Sequence, residues 1–81
     1  MVRYQLIITV DPSHCSVDEL DDSVTLGNGI HASEVDHRTG QVRVYGDGMA
    51  GLGSLQALAA GVKARGWARS TELIRLGVVN D

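Results

Sequence analysis

Apolar and polar residues alternate through residues 4–10: Tyr4, Leu6, Ile8 and Val10 fall on one face, and Gln5, Ile7 and Thr9 on the other. That period of two, in a stretch rich in β-branched side chains, predicts a first strand with one buried face. Asp11-Pro12 ends it, because proline has no N–H to continue a ladder. Beyond it the period lengthens, and Val17, Leu20 and Val24 recur at helical spacing. Ser16-Val17-Asp18-Glu19 has the form of a capping box, in which the Ser16 hydroxyl accepts from the third helical N–H and Glu19 reaches back to the cap. Asp18, Glu19, Asp21 and Asp22 crowd the positive end of this helix, and Gly27-Asn28-Gly29 predicts its end near Leu26.

Residues 30–36 and 41–45 read as two further strands joined by the hairpin loop His37-Arg38-Thr39-Gly40. In the second of them Val42 and Val44 point one way, and Gln41, Arg43 and Tyr45 the other. Ser54 is the expected N-cap of a second helix with an apolar stripe of Leu55, Leu58, Ala59 and Val62, cations Lys63 and Arg65 in its last turn, and Gly66 as its stop. Residues 67–74 are expected to form a fourth strand and 76–81 a loose tail. The order βαββαβ predicts a single α+β domain over residues 1–81, a ferredoxin-like sandwich with a four-stranded antiparallel sheet and two helices on one face.

Composition narrows the function. The chain has 81 residues, 43% of them hydrophobic, which places it with folded globular domains. A net charge of -3 gives no electrostatic reason to expect a nucleic acid or an anionic membrane surface as partner. An RNA-binding version of this fold would also stack aromatic side chains along its central strands, where residues 41–48 offer Tyr45 alone. The apolar run Leu6-Ile7-Ile8 is too short to span a bilayer, and residues 1–20 lack the pattern of a secretion signal. A single cysteine, Cys15, precludes an internal disulfide and suits a reducing compartment, so a cytoplasmic location is expected.

Gly46-x-Gly48-x-x-Gly51 matches the glycine spacing of a dinucleotide-binding turn, with Glu72 at the distance of a ribose-binding acid. A helix starting at Ser54 would lie beyond all four glycines and could not offer its first N–H groups to a phosphate at the second one. The expectation is therefore a mobile loop of Gly46, Gly48, Gly51 and Gly53 with no cofactor, Met49 and Leu52 standing at its tip.

The element order resembles the heavy-metal-associated domain of small copper chaperones and metal-transporting ATPases. So do two particular stretches, "GIHASEVDHRTGQVRV" (Gly29–Val44) and "LAAGVKARGWA" (Leu58–Ala68). Members of that family hold Cu(I) with two thiolates spaced C-x-x-C on the loop entering the first helix. In "HCSVD" the first position is Cys15 and the second is Asp18. Cu(I) favours two thiolates, whereas Zn²⁺ accepts N, S and O donors, so His14, Cys15 and Asp18, or Cys15 from each of two copies, form the candidate metal set. The competing role for Cys15 is packing: it precedes the cap, Leu20 is the fourth helical residue, and that pair is a hydrophobic staple.

No nucleophile–base pair suggests catalysis. The uncovered face of the sheet would carry Ile7, Thr9, Arg43 and Tyr45, a mixture suited to a protein partner or to self-association. The sequence thus points to a small non-enzymatic binding module, resembling metal-chaperone domains without the second thiolate, that acts by protein–protein interaction, with a partner or with itself, through the open sheet face or an edge strand. The alternative is copper or zinc trafficking or sensing through Cys15 with His14 and Asp18, or through a site shared in a dimer.

Overall fold

The computed structural model describes residues 1–79; Asn80 and Asp81, the end of the expected tail, lie outside the described residues. The elements are β1 (Val2–Val10), α1 (Val17–Ser23), β2 (Ile30–Asp36), β3 (Gln41–Asp47), α2 (Gly48–Ala64) and β4 (Ala68–Val78). They form an α+β structure with one four-stranded sheet in the order β2-β3-β1-β4, every neighbouring pair antiparallel. β1 and β3 lie at the centre, with Leu6 opposite Val44 and Ile8 opposite Val42. These four, with Val10, are buried against Leu20 of α1 and Leu55 and Val62 of α2 in one apolar cluster. Burying each such side chain stabilises the fold by about 1.5–3 kcal/mol relative to leaving it in water.

Local chemistry sets most of the boundaries. Ser16 caps α1 with the full reciprocal box: its hydroxyl accepts from the Glu19 N–H at 3.1 Å, and the Glu19 carboxylate accepts from the Ser16 N–H at 3.2 Å. The hairpin between β2 and β3 closes as expected, with the Asp36 carboxylate accepting from the Arg38 and Thr39 N–H groups and Gly40 at φ +69°. α2 stops in a Schellman arrangement: the Gly66 N–H donates to the Lys63 carbonyl and the Trp67 N–H to the Val62 carbonyl, with Gly66 at φ +72°.

Three expectations need correcting. α1 ends at Ser23 rather than near Leu26, because Val24 is already extended. Gly27, Asn28 and Gly29 all take positive φ, and Gly27 and Ile30 exchange both backbone hydrogen bonds, which makes a tight turn into β2 rather than a helix stop. The expected tail is strand as far as Val78: β4 pairs along all of β1, and the Val79 N–H donates to the Met1 carbonyl. A register shift opposite Arg3 and Tyr4, together with Gly77 at φ +109°, interrupts the alternation that would have marked this strand in the sequence.

The third correction concerns the glycines. α2 starts at Gly48, not after Ser54, so there is no loop of Gly46, Gly48, Gly51 and Gly53. Asp47 is the N-cap residue, and Gly51 and Gly53 lie inside the helix. Helix geometry prevails over glycine's poor propensity because Gly51 sits directly on backbone. A Cβ on Gly51 would stand 2.6 Å from the Gly46 carbonyl carbon and 3.0 Å from the Gly29 oxygen. A Cβ on Gly29 would collide with the Gly51 nitrogen. Ser54 bonds across the same junction, its hydroxyl donating to the Asn28 carbonyl at 2.7 Å.

This junction makes an internal comparison available. Gly51→Ala forces two backbones apart and should cost about 2–3 kcal/mol, the range of an overpacked core. Gly53→Ala meets nothing within 4 Å and should stabilise the same helix by about 0.5–1 kcal/mol. Urea titrations of the two variants read both signs.

Candidate functional site

The stretch expected to hold metal is split by the fold. Cys15 is buried, 6% exposed, within the apolar cluster that also contains Leu20, so both members of the staple pair are core residues. Its thiol donates to the Trp67 carbonyl at 3.8 Å. Burial pushes the thiol's pKa up, and the Glu19 and Asp11 carboxylates add to the effect. A buried thiol kept protonated is the reverse of a thiolate ligand.

The other two candidate ligands turn elsewhere. The Asp18 carboxylate faces the His37 Nε2 at 3.0 Å, across the surface between α1 and the β2–β3 hairpin. His14 places Nδ1 3.3 Å from Asp11 Oδ2 and 3.2 Å from the Ser13 hydroxyl, with its ring over Gly66. Ser13 in turn donates to Asp11, which lowers the pKa of that carboxyl. Among the described residues no three of the His, Cys, Asp and Glu side chains converge as a metal-binding group. The donor set His14, Cys15 and Asp18 does not fit an ion within one chain, and Cys15 could reach a second copy only by leaving the core.

On the sheet face away from the core, the register sets Ile7 beside Arg43, Thr9 beside Gln41 and Gln5 beside Tyr45. These side chains are tied to one another. The Gln5 amide donates to the Tyr45 hydroxyl at 3.0 Å, Gln41 donates to Thr9 at 3.4 Å, and Arg43 donates to Gln41 at 3.3 Å while lying 3.7 Å from Asp36. At one end Arg3 donates two hydrogen bonds to Asp47, at 2.8 and 3.0 Å, and His31 lies 3.7 Å from the same carboxylate with its ring tilted on Tyr45. Ile7 and Tyr45 are half-buried in this net.

The helix does open at the second glycine, so the geometric objection to a phosphate turn falls away. Gly46 and Gly51 are nonetheless accounted for by backbone contact and Gly48 by its φ of +69°, and Asp47 is the helix's N-cap residue. That carboxylate makes no bond to the helix N–H groups and is held by Arg3 instead.

The far edge carries exposed apolar side chains that the alternation along the chain does not single out. Of the large apolar side chains that are exposed, Leu73, Leu76 and Val78 belong to β4, and Met1 lies against the end of β4 and beside Gly48, next to exposed Met49. Leu73, Ile74, Leu76, Val78 and Val79 form an apolar run that could have extended the fourth strand past residue 74. Among the described residues no helix is long and apolar enough to cross a membrane. Comparison with protein-family models, with curated proteins and with solved structures finds no match to the chain.

Two measurements check this geometry. At neutral pH Cys15 should resist alkylation until urea opens the core, so labelling and unfolding curves should coincide; fast labelling of the native protein would remove the buried assignment. The hydrogen bonds from Arg3 hold the Asp47 carboxyl below the usual carboxylate range. A depressed native value contributes stability above the unfolded value, and that contribution is lost as pH falls through the native one. Asp47→Asn should therefore flatten the acid limb of stability against pH, below about pH 4, relative to the parent chain.

Proposed function

We propose that the chain is a small, non-enzymatic protein-interaction module of ferredoxin-like fold, akin to metal-chaperone domains but with its thiol turned to packing, and that it engages its partner along β4. The split βαβ arrangement supports the fold reading: each helix connects two parallel strands that have a third strand between them, β3 between β1 and β2, and β1 between β3 and β4.

The observation that carries the function is where exposed apolar surface gathers. Met1, Leu73, Leu76 and Val78, between 39% and 78% exposed together with Met49, lie along one sheet edge and its end. Exposed apolar groups clustered on an unpaired edge mark an interaction surface, and an 11-residue edge strand is long enough to template another strand. The open face contributes less on this reading, since Tyr45, Arg43 and Thr9 already bond within the sheet.

The test sets two variants side by side in a cross-linking and recovery experiment. Leu76→Lys with Val78→Lys should abolish recovery of the partner, while Cys15→Ala should leave it intact. Native mass spectrometry of the reduced protein with Cu(I) and with Zn²⁺ should show no tight, stoichiometric ion. Stoichiometric metal that disappears in Cys15→Ala would overturn the reading in favour of metal trafficking.

A further inference from the structure

Resting on that interaction reading, we infer that the groove between α2 and β4, together with the free edge of β4, takes an extended acidic segment of a partner protein that carries one apolar anchor. The groove is open, with a volume of about 430 Å³, and is lined by Leu55, Ala59, Ala60, Lys63, Thr71 and Leu73. It exists because α2 faces this edge with alanines. Where α2 crosses the central strands it buries Leu55 and Val62, but over β4 its small side chains leave Leu73 39% exposed. The strand beneath ends the sheet, so its outer backbone groups have no ladder partner among the described residues. A strand added there gains main-chain hydrogen bonds and sets alternate side chains into the groove.

Charge names the chemistry of the occupant. α2 and β4 carry Lys63, Arg69 and Arg75 against the single carboxylate Glu72, whereas α1 and β2, across the sheet, carry Asp18, Glu19, Asp21, Asp22, Glu34 and Asp36. Neither Lys63 nor Arg75 lies within ion-pair distance of a described carboxylate. Register puts Leu73 opposite Leu6 and Arg75 opposite Tyr4, on the groove side, while Glu72 is opposite Ile7 on the open face. A strand laid along β4 therefore meets an apolar centre at Leu73 flanked by cations at Lys63 and Arg75. An acidic–apolar–acidic spacing on one face of the added strand complements it. A second copy's β4 does not, since two such edges would bring cations against cations. The opposite edge, β2, is shorter at 7 residues and broken by a register shift between Ile30 and Ala32, a feature that blunts edge pairing.

The probe is a blocked heptapeptide of threonine with glutamate at its second and sixth positions and leucine at its fourth; the control has lysine for both glutamates. Amide NMR of the full chain should show the glutamate peptide shifting β4 and the last two turns of α2, and slowing exchange of β4 amides. The lysine peptide should not do so. Lys63→Glu with Arg75→Glu, both exposed, should keep the native spectrum and weaken binding about tenfold, the scale of two surface ion pairs reversed. Equal response to both peptides, or shifts confined to the open face or β2, overturns the inference. So does a dimer whose β4 amides are protected without peptide, because a second copy then holds the edge. If neither peptide binds while Leu76→Lys with Val78→Lys still abolishes partner recovery, the acidic-strand chemistry fails and the interaction module stands.

Discussion

Three glycines meeting backbone to backbone set the geometry of the rest. Gly29 ends the turn into β2, Gly46 lies in β3, and Gly51 is in the first turn of α2; each is within a side chain's reach of another's main chain. Because no Cβ intervenes, α2 descends close enough to bury Leu55 in the central core, and the β2 turn is fixed by Ser54 bonding Asn28. The Asp47 N–H closes the same junction by donating to the Gly29 carbonyl at 2.8 Å. A motif whose spacing imitates a phosphate turn is here a packing device. Close helix–strand approach is also one of the tasks glycine performs in a dinucleotide turn, which is why the spacing alone does not separate the two.

The opposite end of the molecule is organised around Trp67. Its N–H completes the Schellman stop of α2, and its carbonyl accepts from both the Asp11 N–H and the Cys15 thiol. The loop between β1 and α1 is thus tied, through Asp11 and Cys15, to the adjoining helix–strand junction. "HCSVD" is, as local architecture, a capped helix entry with an apolar residue before the cap.

Much of the fold was legible in the sequence. The alternation in β1, the capping box at Ser16, the hairpin at residues 37–40 and the stop at Gly66 each declare themselves within a few residues, because each rests on local chemistry. The start of α2 did not, since propensity argues against a helix over Gly48–Gly53 and the compensating contact comes from Gly29, distant in the chain. The end of β4 did not, since an exposed edge with a bulge lacks a buried face to impose a period. The candidate ligands were legible as residue types, but their directions were set elsewhere: His37 draws Asp18 across the surface, and Asp11 draws His14 aside.

The chain's one tryptophan stands where α2 passes into β4, half-buried, with the Arg65 guanidinium 4.9 Å from its ring centre. An indole beneath a cation in a partly dry setting emits according to both. Its fluorescence therefore reads the state of that corner without any label. Loosening of the helix stop, withdrawal of the arginine or a strand settling along the neighbouring edge would each change the spectrum of a single chromophore.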